Sequence, residues 1–398
     1  MSTVLATTGE QRASLLYLVF AGGGTGGHLF PAIAVAQSLR RRIPSVRFHC
    51  VFFGTDRPID RRIVEPHGWE LVEQDLPPLP RAPWHWPTFL RRYRRASMRC
   101  RDYFRRQRPA VVVGTGALAS VPAVVEAARA GIATAILNPD LKPGRANRKL
   151  APRADVIFAQ WEASAAFLPA GADVRVTGCP VRERFGRVER AEAAECFGLD
   201  QTRNTLLVTG ASQGARTLNR AVVAGRDVLD AFAADWQVLH LTGETDYQSV
   251  REGYEGTAIK AVVLPFTYDM PEALAAADLV VSRSGASTLA EITAVGRASI
   301  LMPYPYHKDM HQSANAEVLV RASAAHLLPD QIDPKLNGPA LGLLLDSLMR
   351  DDARREQMAA AAARLGRPDA AENVADQLMK MTNNAAPISG CECLERSC

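Results

Sequence analysis

The sequence predicts an α/β protein of two Rossmann-like domains, each a doubly wound parallel sheet, facing one another across a cleft. Three observations carry this expectation. Short apolar runs alternate with helical stretches, the alternation restarts near residue 204, and each half opens on a strand, a glycine-containing turn and a helix. At 398 residues the chain is also too long for one ordinary core and suits two.

The first half begins with an apolar strand at Leu15 to Phe20, a glycine-rich turn, and a helix from Pro31 to Arg42, where Pro31 suits a first helical turn. Further strands are expected at Val46 to Phe53, Ala110 to Val113, Ala133 to Leu137, Val156 to Phe158 and Val174 to Val176. Gly178, Cys179 and Pro180 break the pattern, and the polar stretch to Asn204 reads as a connection. Strands then follow at Thr205 to Thr209, Gln237 to Leu241, Ala261 to Leu264, Leu279 to Val281 and Ser299 to Met302. Helices are expected at Ala215 to Ala224, Met270 to Ala277, Thr288 to Val295 and His311 to Arg321. The expected division is a tail over 1–13, a first domain over 14–178, a connection over 179–203, a second domain over 204–382 and a tail over 383–398. Open sheets of this kind place ligands at the carboxyl ends of their strands, so the cleft is the expected site.

Hydrophobic residues make up 47% and charged residues 22%, a soluble, globular balance, and no apolar run reaches the roughly 18 residues that span a bilayer. The first thirteen residues lack the basic start of a signal peptide, so the cytoplasm is the expected compartment. The seven cysteines fit no disulfide framework, and the group Cys391, Cys393 and Cys398 lacks the histidine or second CxxC of a zinc site; no metal is expected.

The net charge of +5 is unevenly spread: Arg81 to Arg108 holds ten arginines against the single acid Asp102, with Trp84, Trp86, Phe89, Tyr93, Tyr103 and Phe104 among them. Phe89, Tyr93, Ala96, Cys100 and Phe104 recur at helical spacing. Two readings fit: an amphipathic helix on an anionic membrane surface through 84–108, or a solvated basic face over an ordinary core stripe. No recognition motif accompanies the charge, so nucleic acid is not an expected partner.

Gly22-Gly23-Gly24-Thr25-Gly26-Gly27-His28 follows a strand and opens a helix, a setting in which backbone amides and the helix N-terminus receive phosphate. A nicotinamide dinucleotide site would want an acidic residue about 20 positions on. That region reads Arg47-Phe48-His49-Cys50-Val51, and Asp56 lies past Gly54, which argues against it. His28, at the end of the loop, suits contact with a diphosphate or proton abstraction from an attacking hydroxyl. Gly210-Ala211-Ser212-Gln213-Gly214-Ala215 is a second turn suited to phosphate. In Ser282 to Glu291 small residues form a turn before a helix whose Glu291 can accept both hydroxyls of a ribose. His311-Gln312-Ser313-Ala314-Asn315 adds polar groups able to read a sugar.

Five segments occur together and in order: GGGTGGHLFPAIAVA (22–36), TGCPVRERF (177–185), TGASQGARTLN (209–219), ADLVVSRSGASTLAE (277–291) and PYPYHKDMHQSANA (303–316). From about Leu16 to Leu328 the chain thereby resembles the peptidoglycan transferase family that moves N-acetylglucosamine from its UDP donor onto undecaprenyl-diphospho-N-acetylmuramyl pentapeptide. The resemblance implies a GT-B fold, an inverting single displacement without cofactor or obligatory metal, and a place on the cytoplasmic face of the membrane. Carried over by position, Thr25, Gly26 and Gly27 lie at the donor sugar and diphosphate, with His28 toward the acceptor diphosphate. Arg182 and the backbone at Thr267 flank the uracil, and Ser212 meets a phosphate. Ala286, Ser287, Thr288 and Leu289 complete the phosphate contacts, Glu291 holds the ribose and Gln312 reads the sugar.

Two segments depart from the family pattern. His-Glu-Gln-Asn becomes Leu137-Asn138-Pro139-Asp140, and Gly-x-Gly-Gly-Tyr-x-Ser-x-Pro becomes Gly114 to Pro122 with Ala117 and Leu118 inside. Three functions follow: the peptidoglycan enzyme, with Asp140 and His28 together accepting the proton; a related transferase using a UDP-sugar on another lipid-linked or small acceptor; or a binding protein that keeps UDP-sugar affinity without turnover.

Overall fold

The computed structural model describes residues 16–43, 48–80, 82–210, 214–306 and 310–383. Two entirely parallel sheets account for its strands. The first holds β1 Leu16–Ala21, β2 Phe48–Thr55, β3 Glu70–Gln74, β4 Val111–Gly114, β5 Ala133–Asn138, β6 Val156–Ala159 and β7 Val174–Val176, in the order β3-β2-β1-β4-β5-β6-β7. The second holds β8 Asn204–Thr209, β9 Trp236–Leu241, β10 Lys260–Leu264, β11 Leu279–Ser282, β12 Ala298–Leu301 and β13 Ala325–Leu327, in the order β10-β9-β8-β11-β12-β13. The central strands are near-continuous runs of Val, Leu, Ile and Phe, as burial on both faces requires. Strand order reverses between β1 and β4 in one sheet and between β8 and β11 in the other, so each carries its ligand crevice beside its glycine-containing turn.

Several elements differ from the sequence expectation. β3 and β13 went unforeseen: β3 is a half-exposed edge strand reading Glu-Leu-Val-Glu-Gln, and β13 has three residues, too few for a period. The first helix runs Gly26–Arg42, so Pro31 lies inside it rather than in its first turn.

Segment 179–203, expected as a connection, is built into the second unit. Cys179, Val181, Phe185, Ala193, Ala194 and Leu199 are buried with that unit's core, and the helix Arg190–Cys196 packs on the helix Met270–Ala276. The last helix, Ala370–Asn383, expected with the second unit, returns to the first. Its Val374, Ala375 and Leu378 sit fully buried among Leu29, Ile33 and Phe158, and Glu372 and Asp376 pair with Arg41 and Arg42. Burying side chains of leucine size contributes about 1.5–3 kcal/mol each, more than an exposed helix gains.

The basic segment forms the helix Trp86–Arg106. Phe89, Ala96, Cys100 and Phe104 are buried and Tyr93 half-buried, so the helical stripe is core, and the apolar groups left outside are Trp84, Trp86, Leu90 and Met98. Arg92 pairs with Asp75 and Arg101 with the buried Glu126, while Arg91, Arg94 and Arg95 stay exposed. Among the described residues no helix is long and apolar enough to cross a membrane. Cys391, Cys393 and Cys398 lie outside the described residues.

Candidate functional site

The glycine-rich loop leaves β1 in a conformation only glycine adopts without strain. Gly22 and Gly23 have φ of 156° and 155°, and a Cβ on them would lie 2.0 Å from Thr115 Oγ1 and 2.2 Å from Asp60 Oδ2. Asp60, fully buried, braces this turn: its Oδ1 accepts from the Gly24 amide at 2.8 Å, and its Oδ2 from the amide and hydroxyl of Thr55 at 2.7 and 2.9 Å. No local pattern marks Asp60, which lies 36 residues from the glycine it holds.

The helix Gly26–Arg42 then starts without a side-chain cap, its Gly26 and Gly27 lining the cleft and its His28 amide donating to the Thr25 carbonyl at 3.2 Å. Pro31 has no N–H to give the carbonyl four residues back, which is that of Gly27. That freed carbonyl accepts from the Ser287 hydroxyl at 3.1 Å, across the cleft. The proline is therefore tolerated inside the helix because the other unit supplies the missing donor.

His28 is half-buried, with Nδ1 at 3.3 Å from the Gly23 carbonyl and 3.0 Å from Thr25 Oγ1. A carbonyl only accepts, so Nδ1 carries the proton in this arrangement and Nε2 keeps its lone pair. Burial pushes the imidazole below its ordinary pKa, opposed by the negative charge of Asp140. The neutral, basic form is favoured. The ring lies against Gly116, where a Cβ would meet His28 Cδ2 at 2.7 Å; the next residue, Ala117, takes a left-handed φ of 58°.

The facing wall is built by the second unit. β11 ends in a tight turn, and the helix Ala286–Val295 begins after Gly285 without a side-chain cap, leaving the amides of Ala286, Ser287 and Thr288 without helical partners. Arg283 turns away and anchors the turn, its guanidinium held by Asp330 at 2.8 Å and Thr217 Oγ1 at 2.6 Å. Leu289 does not reach the cavity: its side chain is fully buried and its amide donates to Gly285, because the helix period turns it inward. Glu291, one turn on, is half-buried, and desolvation raises its pKa to about 7 against the lowering pull of Arg182. Arg182 donates to the Tyr268 carbonyl at 2.8 Å and lies 5.3 Å from the rings of both Phe30 and Phe185. The Thr267 hydroxyl accepts from the Asp269 amide at 2.9 Å, leaving its backbone for the cavity. Gln312 Oε1 accepts from the Tyr304 amide at 2.9 Å.

These elements enclose a cavity of about 420 Å³, within the range of small-molecule sites. Thr25, Gly26, Gly27, His28 and Asp140 line it from the first unit; Arg182, Thr267, Ala286, Ser287, Thr288, Glu291 and Gln312 line it from the second. Ser212 lies outside the described residues. Asn138 is buried outside this cavity, donating to the Asp140 carbonyl at 2.9 Å and accepting from Asn147 at 3.1 Å. As with Asp60, no motif marks Arg62, which lies 4.7 Å over the Phe266 ring and donates to the Tyr268 hydroxyl at 2.8 Å. Asn315, expected among the polar groups that read a sugar, does not line the cavity and instead holds Asp140; it stands three residues after Gln312, one helical turn on the same face. Among the described residues no group of three or more His, Cys, Asp or Glu could hold a metal ion.

The solved structure of MurG from Acinetobacter baumannii has the same fold, with a TM-score of 0.71 at 23% identity over 92% of this chain and 99% of that one. MnaA from S. aureus, solved with UDP, matches with a TM-score of 0.65 at 13% identity over 93% and 97%. Residues 18–159 match the glycosyltransferase family 28 N-terminal domain, and residues 205–374 match the glycosyltransferase family 28 C-terminal domain. A UDP-N-acetylglucosamine--N-acetylmuramyl-(pentapeptide) pyrophosphoryl-undecaprenol N-acetylglucosamine transferase from Thermodesulfovibrio yellowstonii is 34% identical over 358 residues, 90% of this chain and 96% of the relative. The transferase of the same name from Myxococcus xanthus is 37% identical over 372 residues, 91% and 92%. With two uncapped helix starts facing one another over a cavity, and kinship along nine-tenths of its length, the chain belongs to glycosyltransferase family 28, within this family of N-acetylglucosamine transferases.

Proposed function

We propose that the chain transfers N-acetylglucosamine from UDP-N-acetylglucosamine to the C4 hydroxyl of undecaprenyl-diphospho-N-acetylmuramyl pentapeptide, with inversion. The observation that carries this reading is the cavity itself. Phosphate-type helix starts face it from both units, Glu291 and Arg182 stand on the second wall, and His28 and Asp140 stand on the first. The hydroxyl oxygen attacks the anomeric carbon, its proton passes to Asp140 or to His28 Nε2, and the bond from that carbon to the diphosphate oxygen breaks, the electron pair leaving with UDP. The helix starting at Ala286 supplies amides and a positive dipole end to the charge that grows on the diphosphate. Glu291 in its ionised form accepts the ribose hydroxyls, and Arg182 with the backbone at Thr267 flanks the uracil.

The acceptor's lipid tail requires the enzyme to work at a membrane surface. Trp84, 75% exposed, stands with Trp86 and Leu90 beside the exposed Arg91, Arg94 and Arg95. That combination suits peripheral attachment to the anionic cytoplasmic face.

The test measures UDP release from UDP-N-acetylglucosamine by the purified protein, with and without a short-chain analogue of the lipid-linked acceptor. Acceptor-dependent release with formation of the disaccharide is expected. Tight donor binding without acceptor-dependent release overturns the proposal, and points to another acceptor or to a binding role; the altered Leu137 to Asp140 segment is the feature behind both.

A further inference from the structure

We infer that Asn315 is a positioning residue that couples closure of the cleft to the placement of the Asp140 carboxylate. The inference rests on the reading of Asp140 as a proton acceptor. Asn315 belongs to the second unit, on the helix His311–Arg321, and is fully buried. Its side-chain Oδ1 accepts from the Leu141 amide at 2.8 Å, and its Nδ2 donates to Asp140 Oδ1 at 2.8 Å. Both bonds cross from the second unit to the loop that follows β5 in the first. A weaker contact at 3.5 Å ties Nδ2 to the Ser284 carbonyl, at the turn that opens the second wall.

One side chain thus holds a backbone amide and a carboxylate oxygen of adjacent residues, which fixes both the loop and the rotation of the carboxylate. With Oδ1 occupied, Oδ2 is the oxygen left to receive a proton. The loop is held from its own side as well, since the Asp140 carbonyl accepts from Asn138 at 2.9 Å and from Ser164 at 3.5 Å. The carboxylate and the Leu141 amide depend on the other unit. Opening the cleft breaks both Asn315 bonds at once, and the carboxylate is then free to rotate. The acid–base group is therefore set only when the cavity is shut, which protects a bound sugar nucleotide from water while the cleft is open. Gln312, one turn earlier on the same helix, lines the cavity, so donor contact and Asp140 placement share one rigid element.

The test combines three variants with three readouts: kcat and KM with the short-chain acceptor analogue, the Kd of UDP-N-acetylglucosamine by calorimetry, and hydrogen exchange at the Leu141 amide with donor bound. Asn315→Ala is expected to lower kcat about 10- to 100-fold, the scale of a misplaced reacting group, with the donor Kd changed less than about threefold and Leu141 protection lost. Asn315→Asp, which keeps the shape, keeps an acceptor for Leu141 but sets two carboxylates together, and lowers kcat at least as far. The double variant Asp140→Asn with Asn315→Asp restores a donor–acceptor pair with the roles exchanged. Leu141 protection then returns while kcat stays low, as the loss of the Asp140 carboxylate requires; the positioning role is read from the fall in kcat at unchanged donor Kd in Asn315→Ala. Wild-type kcat in Asn315→Ala, alongside an inactive Asp140→Asn, overturns the inference and leaves Asp140 standing. Full activity of Asp140→Asn alone overturns the reading of Asp140 beneath it.

Discussion

Replacing Glu291 by glutamine separates what the carboxylate does for the ligand from what it does to the fold. Its pKa stands at about 7 because burial disfavours the charge more than Arg182 restores it. A ribose donates hydrogen bonds best to the ionised form, so protons compete with the ligand. If the protonated form does not bind, the apparent Kd scales as one plus the protonated-to-ionised ratio. That is a factor of about 11 at pH 6 and about 1.1 at pH 8, given tenfold per pH unit. UDP-N-acetylglucosamine should therefore bind about tenfold more weakly at pH 6 than at pH 8. Each of its phosphates carries one ester and one anhydride link and so keeps a single charge over this range, whereas UDP itself titrates. His28, pushed down by burial, would if protonated favour the diphosphate at acid pH, the opposite sign. Glu291→Gln should flatten the profile at weak affinity. In the unliganded protein the signs reverse: a raised carboxyl pKa contributes stability that is lost as pH rises from the ordinary value of 4.5 through about 7. At pH 8 the glutamine variant should be more stable on the order of 1–3 kcal/mol, after discounting for partial exposure, and melt a few degrees higher. Calorimetric titration at pH 6, 7 and 8 and thermal melts check both halves. Parallel pH profiles in wild type and variant would refute the assignment of Glu291 to the ribose.

Three further outcomes are expected. Arg62→Ala removes a hydrogen bond and a cation–π contact that clasp Tyr268 and Phe266 across the cleft, and should weaken donor binding about fivefold, from roughly 1 kcal/mol; unchanged calorimetry would show that the clasp is idle. Asp60→Ala leaves three donors at the glycine loop without their acceptor, and should cost about 3 kcal/mol or more in urea unfolding as well as most activity. Changing Arg91, Arg94 and Arg95 together to Gln should reduce binding to anionic vesicles about 100-fold, at roughly 1 kcal/mol for each charge, whereas Arg92→Gln, already paired with Asp75, should change little; equal sedimentation of the triple variant and wild type would exclude this surface as the membrane contact.

What was legible in the sequence is what the chain settles locally. The central strands announce themselves because burial on both faces leaves mostly apolar residues in β1, β4, β8 and β11. The two cavity walls announce themselves because glycine and small residues must precede a helix whose first amides stay open. What was not legible depends on residues brought together from far apart. Pro31 reads as a helix start until the Ser287 hydroxyl, 260 residues from Gly27, is seen to occupy the carbonyl it frees. Asp60 carries no motif, and Asn315 meets Asp140 across 175 residues. The helix Ala370–Asn383 is readable as a helix, yet nothing in it says that its partner is the first sheet.

Three of the long-range contacts share a property that the local ones lack. Ser287 on Gly27, Arg62 on Tyr268 and Asn315 on Asp140 and Leu141 each bond across the cleft, and each involves a residue lining the cavity. The structure is therefore a shut form whose latches are spread along the cavity: one between the two helix starts, one at the aromatic pair beside Arg182, one at the acid–base loop. Opening the cleft parts all three. The phosphate-binding amides of either wall survive that parting because they belong to a single helix. The Asp140–Asn315 pair does not, because its halves leave with different units. Binding can thus begin on one wall while the cleft is open, and proton acceptance as placed here waits for both.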